Sequence, residues 1–253
     1  MQYIGILGHR GSGKTSVSYL LGCCLEYMKR GYNKEQLSAK YSTWCNNIKT
    51  SPNAIYDDCW DYVYFDSFGE TPNSFVAQLL GIDMSILDND TLKDSMYVNL
   101  KDFTLHTNVD ESSIVTSKDY LATVKLDKPK CIRRVNTDSY MTIRDFVSMF
   151  SIDIMQRYYG TNVWIKSRIR SDAQYNYECG WRIFSDVKTG DEFLYISEKN
   201  GILIRVQRPS NKKKNKGITN IESEHADYEI VIETDITDLF EEIYKIAKDI
   251  YER

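Results

Sequence analysis

Gly8-His9-Arg10-Gly11-Ser12-Gly13-Lys14-Thr15 follows the spacing G-x-x-x-x-G-K-[ST], which suits a backbone curled around phosphate oxygens. Glycines allow successive N–H groups to converge on an anion without Cβ clashes. Lys14 supplies a compact positive charge for β- and γ-phosphates, and the Thr15 hydroxyl is a Mg²⁺ ligand of the usual hard-oxygen kind. Gly8, Gly11, Ser12, Gly13 and Ser16 complete the set through backbone donors at a helix start, where the helix dipole favours negative charge. Arg10 lies inside the loop and either reaches a transferring phosphate or faces solvent. The expected ligand is a nucleoside triphosphate, ATP with Mg²⁺. The rival is a Gly-rich turn with no ligand.

Other chemistry-bearing residues are spread along the chain. Asp186 ends the run Trp181–Asp186 and is placed to hold Mg²⁺, directly or through water, beside Thr15; its alternative is a helix cap. Arg144 stands at a helix start as a clamp for an acceptor phosphate, or as half of a surface ion pair. Lys188 is a second clamp on the same terms. Asp153 contacts an acceptor sugar or base, or pairs with Arg157. Trp164 belongs to the acceptor site or to the core. Lys166, Arg168 and Arg170 either close over phosphates or form a solvated face. Arg208 follows a strand end, where adenine or a phosphate would lie. Asp66 faces an acceptor or caps, and His225 has no partner identifiable from sequence.

Composition narrows the classes. A chain of 253 residues at net charge −4 suits one α/β domain, with or without an insertion, and argues against a general nucleic-acid or membrane-surface binder. No apolar run approaches a bilayer span, and the start is a strand, not a signal peptide. The six cysteines lack metal-ligand spacing and read as reduced, packed thiols of a cytoplasmic protein. The 19 tyrosines are scattered and read as packing.

These residues need a scaffold. Tyr3–Leu7 reads as a strand, and a helix follows from Lys14 to Arg30 with Val17, Leu20, Leu21 and Leu25 on its apolar face. A second amphipathic stretch runs to about Ile48. Asp61–Asp66 reads as a strand ending in an acid, and Phe75, Leu79 and Leu80 as a helix stopped by Gly81. Alternation at Phe103, Leu105, Leu121, Val124 and Leu126 predicts short antiparallel strands in an inserted, lid-like segment near 102–140. Thr142 with Asp145 predicts a helix N-cap, and Ile143, Phe146, Val147, Phe150 and Ile154 a helix ending at Gly160. Trp181–Asp186, a helix over Asp191–Lys199 and Ile202–Val206 form a βαβ unit, hence a parallel sheet. Tyr228–Ile232 is a last strand, and Leu239, Ile243, Ile246 and Ile250 mark a closing helix. The expected fold is a three-layer α/β sheet with nucleotide at the carboxyl ends of its strands.

A phosphate loop alone does not select a reaction. The chain lacks the Asn-Lys-x-Asp segment of GTPases, and Phe184-Ser185-Asp186 lacks the second acid of motor and transport ATPases. A small-molecule kinase is the favoured class. The order of several blocks resembles the bacteriophage deoxynucleoside monophosphate kinases. They are the Gly8–Thr15 loop; Thr142-Ile143-Arg144 with Ile152-Asp153 and Trp164-Ile165-Lys166; Ser185-Asp186-Val187-Lys188 with Glu192, Gly201 and Val206-Gln207-Arg208-Pro209; and Ser223-Glu224-His225 with Ile232 and Leu239. The resemblance implies a P-loop NTPase fold with a mainly parallel sheet and inserted lid and acceptor-binding segments, in one kinase domain over 1–253. It implies transfer of the ATP γ-phosphoryl group to a deoxynucleoside 5′-monophosphate, giving dNDP and ADP. Its partners would be small-molecule nucleotides, with no stable nucleic-acid or membrane binding and a homodimer allowed, in the host cytoplasm for a chain of phage origin. The chain departs from the family at Lys188, where the family has Arg and its bidentate fork, at Ser148 for Gln, and at Ser151-Ile152 for Gly-Thr. Phe68-Gly69 occupies the stretch where the family often places a Lys. Two alternatives follow: a nucleotide-binding protein on a degraded kinase scaffold, and a P-loop ATPase acting on a macromolecule.

Overall fold

The computed structural model describes residues 1–9, 11–50, 60–123, 139–172, 180–209 and 225–253. Arg10, Val124, Leu126, Ser223 and Glu224, and Cys59, Cys131 and Cys179 lie outside the described residues. The chain starts with β1 (Gln2–Leu7), α1 (Lys14–Lys29), α2 (Lys34–Thr50) and β2 (Val63–Asp66). It continues through α3 (Glu70–Leu80), α4 (Met84–Asp88), α5 (Asp90–Ser95), β3 (Tyr97–Asn99), β4 (Leu105–His106) and α6 (Ser117–Thr123). After β5 (Tyr140–Thr142), α7 (Ile143–Ser148) passes into a π-helical stretch (Met149–Gln156) and a last α turn (Arg157–Tyr159), and α8 (Val163–Asp172) follows. The remaining elements are β6 (Trp181–Val187), α9 (Gly190–Glu198), β7 (Ile202–Gln207), β8 (Tyr228–Val231) and α10 (Phe240–Glu252). They form two compact units, one of residues 1–68 and 169–253, the other of residues 69–168, a wider span than the 102–140 segment.

The first unit is α/β. Its five strands run in the order β2-β6-β1-β7-β8, parallel throughout. β1 is the central strand, and alternation sends Ile4 and Ile6 into a core shared with α1, α2 and α10. On the other face, Tyr3 meets Phe184 and Tyr195, and Gly5 lies against Ile196 of α9. Burial on both faces is why the strand reads as a continuous apolar run. The β6–α9–β7 unit has the parallel sense expected of it, its two strands lying on either side of β1. α10 closes the core with Ile243, Ile246, Ala247 and Ile250, the stripe read from helical spacing.

β2, at the edge of the sheet, is held at both ends by buried carboxylates. Glu26 of α1 accepts hydrogen bonds from the amides of Asp61, Tyr62 and Val63, at 3.1, 2.9 and 3.1 Å, and from Arg30 Nε at 2.9 Å. At the far end, Asp66 accepts Arg182 Nε at 2.7 Å together with a second bond from Nη2. Arg182 is 1 % exposed, and its guanidinium lies against the rings of Tyr3, Tyr64 and Phe184. Charges this far from water persist only when paired and hydrogen-bonded.

The second unit packs α3, α4 and α7 around a three-stranded antiparallel sheet of order β4-β3-β5. Val76, Leu87, Val98, Met141, Ile143 and Phe146 form its core. Leu105 lies in a strand as its alternation predicts, but Leu121 falls in α6. The reason is a helix-start device upstream: Thr116 Oγ1 accepts the Asp119 amide, and the Thr116 carbonyl accepts Tyr120 N. Thr142 caps α7 through the Asp145 amide at 3.1 Å, as its spacing predicts. The helix then widens into π geometry, and Ser151 Oγ bonds back to the Val147 carbonyl inside that stretch. Among the described residues, no helix is long and apolar enough to cross a membrane.

Asp66→Ala is expected to destabilise the protein by about 3–5 kcal/mol in urea unfolding, because the Arg182 charge is left buried and unpaired. Replacing both partners, Asp66→Leu with Arg182→Met, should recover most of that loss. A single variant as stable as the wild type would contradict this account.

Candidate functional site

The loop from β1 to α1 is shaped by contacts that leave no room for side chains. At Gly8, with φ 148°, an added Cβ would stand 2.3 Å from the Val206 carbonyl oxygen. At Gly13, with φ 96°, it would stand 2.6 Å from Ile232 Cδ1. Ser12 N donates to the His9 carbonyl at 3.1 Å, closing the turn. Lys14 folds back over the loop, its Nζ donating to the carbonyls of Gly8 at 2.7 Å and His9 at 2.8 Å. α1 starts at Lys14 with Gly13 as its N-cap, without a side-chain cap and without an acid in its first turn. Its first amides therefore point outward beside the exposed Thr15 and the half-buried Ser16. Ser12 is buried, and its Oγ has no hydrogen-bond partner among the described residues. Orphaned buried donors are rare, and a hydroxyl at this place in the loop is available to a bound anion.

Asp186 reaches the same neighbourhood through an irregularity in β6. Between Gly5↔Phe184 and Leu7↔Val187, β1 advances by two residues and β6 by three. That extra residue is a β-bulge, which re-aims side chains at a strand end. The Asp186 carboxylate accepts Ser67 Oγ at 2.8 Å on one oxygen and the Phe68 amide at 2.8 Å on the other. Lys188 Nζ lies 3.4 Å from the first of these oxygens. Burial and the nearby Lys188 ammonium push Lys14 down to about 8, with Asp186 acting in the opposite sense. A Lys14 ammonium depressed in this way would regain stability beside a multiply charged anion.

Glu192 stands at the third position of α9. It accepts the amides of Lys188 and Thr189, while Thr189 Oγ1 accepts the Glu192 amide, a full capping box. Burial, reinforced by the Asp186 charge, pushes Glu192 up to about 7. Arg208 lies two residues beyond Val206, and its Nε is buried without a partner among the described residues.

Mg²⁺ fits the donors on this unit. Among the described residues there is no cluster of three His, Cys, Asp or Glu side chains arranged for a metal. Mg²⁺ does not need one, since it is commonly held by one or two carboxylates, waters and substrate phosphates. The Asp186 carboxylate and the Thr15 hydroxyl are the oxygen donors that would hold such a metal or its waters.

The remaining candidates lie in the second unit. Arg144 has the ion pairing weighed as its alternative: its guanidinium bonds Asp94 through Nε and Nη2, and Asp90 Oδ1 at 2.9 Å. Trp164 is buried, and its indole N–H donates to the Ser151 carbonyl at 3.0 Å, so its polar edge is engaged in the core. Asp153 is half-buried in the π stretch and forms no ion pair with Arg157 among the described residues. Arg168 pairs with Glu70 at 3.2 Å, Lys166 is exposed, and so is His225 in the first unit.

Ser67 and Phe68 were not legible as site residues. Each is 118 or 119 positions from Asp186, and no local pattern links them. The only available signal was their place just after a strand end in an α/β sheet, where ligand sites gather. Compared with known proteins, the chain matches no family model, and no curated sequence is significantly similar to it.

A carboxyl group whose folded value is raised from 4.5 to about 7 favours the fold while protonated, and that contribution is lost as pH rises through 7. Glu192→Gln, which still accepts both amides, is therefore expected to gain melting temperature relative to the wild type between pH 4.5 and pH 7. A constant difference across this window would contradict the burial of this charge.

Proposed function

We propose that the first unit is a P-loop NTPase module that binds ATP with Mg²⁺ at the β1–α1 loop. In this reading the protein is a nucleotide kinase that passes the γ-phosphoryl group to a deoxynucleoside 5′-monophosphate, yielding dNDP and ADP. The observation that carries the ATP site is the loop itself: Gly8 pressed onto the Val206 carbonyl, Lys14 folded over Gly8 and His9, and a buried Ser12 hydroxyl without a partner among the described residues. The choice of acceptor rests on the resemblance to phage kinases.

In this reading, Lys14 leaves the two loop carbonyls for β- and γ-phosphate oxygens, which restores its full charge. The first-turn amides of α1 and the Ser12 hydroxyl donate to the same oxygens. Thr15 and Asp186 hold Mg²⁺, which supplies neutralisation of charge on the transferring phosphoryl group when bound. Lys188 neutralises negative charge beside Lys14, and Arg208 offers its buried Nε to the nucleotide. Arg144 clamps the acceptor phosphate by exchanging the carboxylates of Asp90 and Asp94 for it, and Asp153 supports the acceptor. No general base is required, because the acceptor oxygen is already anionic, so positioning and charge neutralisation supply the catalysis.

One observation favours a second reading, nucleotide binding without transfer: Arg144 is already neutralised by two carboxylates. An ADP-release assay with Mg-ATP against dAMP, dGMP, dCMP, dTMP and their ribonucleotides separates the two. Turnover with one or two deoxynucleotides is the expected result. A silent panel with ATP still bound would support the second reading. Lys14→Ala should lower turnover by about a hundredfold or more with an unchanged circular dichroism spectrum. Undiminished turnover in that variant would overturn the proposed mechanism.

A further inference from the structure

The direction of the Asp186 carboxylate is set from outside its own strand. Ser67 Oγ donates to Oδ2 and Phe68 N to Oδ1, each at 2.8 Å, so one donor addresses each oxygen. A single hydrogen bond would leave the carboxylate free to turn about its Cβ–Cγ bond; two donors on different oxygens set its plane. The donors are themselves held. Asp66 accepts the Ser67 amide at 2.8 Å while gripped by Arg182. Phe68 is buried, stacked on Phe184 at 4.5 Å and edge-on to Tyr195 at 5.9 Å. Lys188 shares the oxygen that Ser67 addresses, its Nζ pairing with it at 3.4 Å.

We propose that Ser67 is a positioning residue that, with the Phe68 amide, aims the Asp186 carboxylate at the Mg²⁺ of a bound Mg-nucleotide and holds it there against the pull of the Lys188 ammonium paired to the same oxygen. This inference rests on the reading of the first unit as a Mg-ATP site. Loss of the hydroxyl removes the donor that balances Lys188 on Oδ2, and a bound metal would lose an oriented ligand. Outer partners of metal ligands typically change metal affinity about 10–100-fold.

The experiment is a MgCl₂ titration of the full chain with a fluorescent ATP analogue, read as the Mg²⁺ concentration giving half of the Mg²⁺-dependent binding. Ser67→Ala is expected to raise that concentration about tenfold or more, with binding in EDTA unchanged. Ser67→Thr, which keeps the hydroxyl, should return it to within about threefold of the wild type. Ser67→Cys, of nearly the same shape with a weak donor, should fall between, and it decides the matter if Ser67→Ala does not fold. An unchanged Mg²⁺ requirement in a folded Ala or Cys variant overturns the positioning role while leaving the nucleotide site standing. Absence of analogue binding to the wild type would instead remove the site on which the inference rests.

Discussion

Arg182 and Asp66 carry opposite charges in a part of the sheet that water does not reach, and the first unit is arranged around keeping them together. The guanidinium lies close to the rings of Tyr3, Tyr64 and Phe184 while its Nε and Nη2 bond the carboxylate. The pair joins β2 to β6 by more than ladder hydrogen bonds. Glu26 performs the matching task at the start of β2, accepting three consecutive amides. An edge strand of four residues would fray on its own; pinned at both ends, it delivers Ser67 and Phe68 to fixed positions.

From there a chain of contacts reaches the loop. Asp66 orients Ser67, Ser67 and Phe68 orient Asp186, and Asp186 stands among charges that include Lys14 and Lys188. Lys14 is drawn toward its uncharged form by burial and by Lys188, yet its ammonium donates to two carbonyls. In the proposed nucleotide site such an arrangement would improve on anion binding, because phosphate oxygens would replace carbonyls as stronger partners. Glu192 adds a buried acid whose preferred state is close to neutral, limiting the negative charge beside Asp186.

The second unit shows a different balance. Its best helix begins with a capped α turn and then opens into π geometry over Met149–Gln156, the stretch that carries Ser151 and Asp153. Ser151 takes part twice, its hydroxyl bonding Val147 and its carbonyl accepting the Trp164 indole, so the widened turn is anchored from inside the core. Arg144 at the helix start is held by acids on the neighbouring α5 segment. A phosphate would have to displace carboxylates that already offer the geometry a guanidinium prefers.

Local chemistry made much of this legible in advance. The glycine spacing of the loop, the apolar run of β1, the Thr142 cap and the stripes of α1 and α10 each depend on residues a few positions apart, where sequence and conformation are directly coupled. Leu121 shows the limit even there, since alternation is a weaker signal than the Thr116 side-chain cap before it. The π widening was not legible, because Ile143, Phe146, Phe150 and Ile154 satisfy an α period equally well. The sequence by itself determined that a strand, a glycine turn and a helix follow one another and that Lys14 and Thr15 sit at their junction. Only the tertiary structure decided that Ser67, Phe68, Asp186 and Lys188 share one place, that Arg182 is buried on Asp66, and that Arg144 is engaged by two acids. The reason is distance along the chain: these contacts join residues up to 119 positions apart, and side chains with no other claim on each other meet only after strand order and register are set.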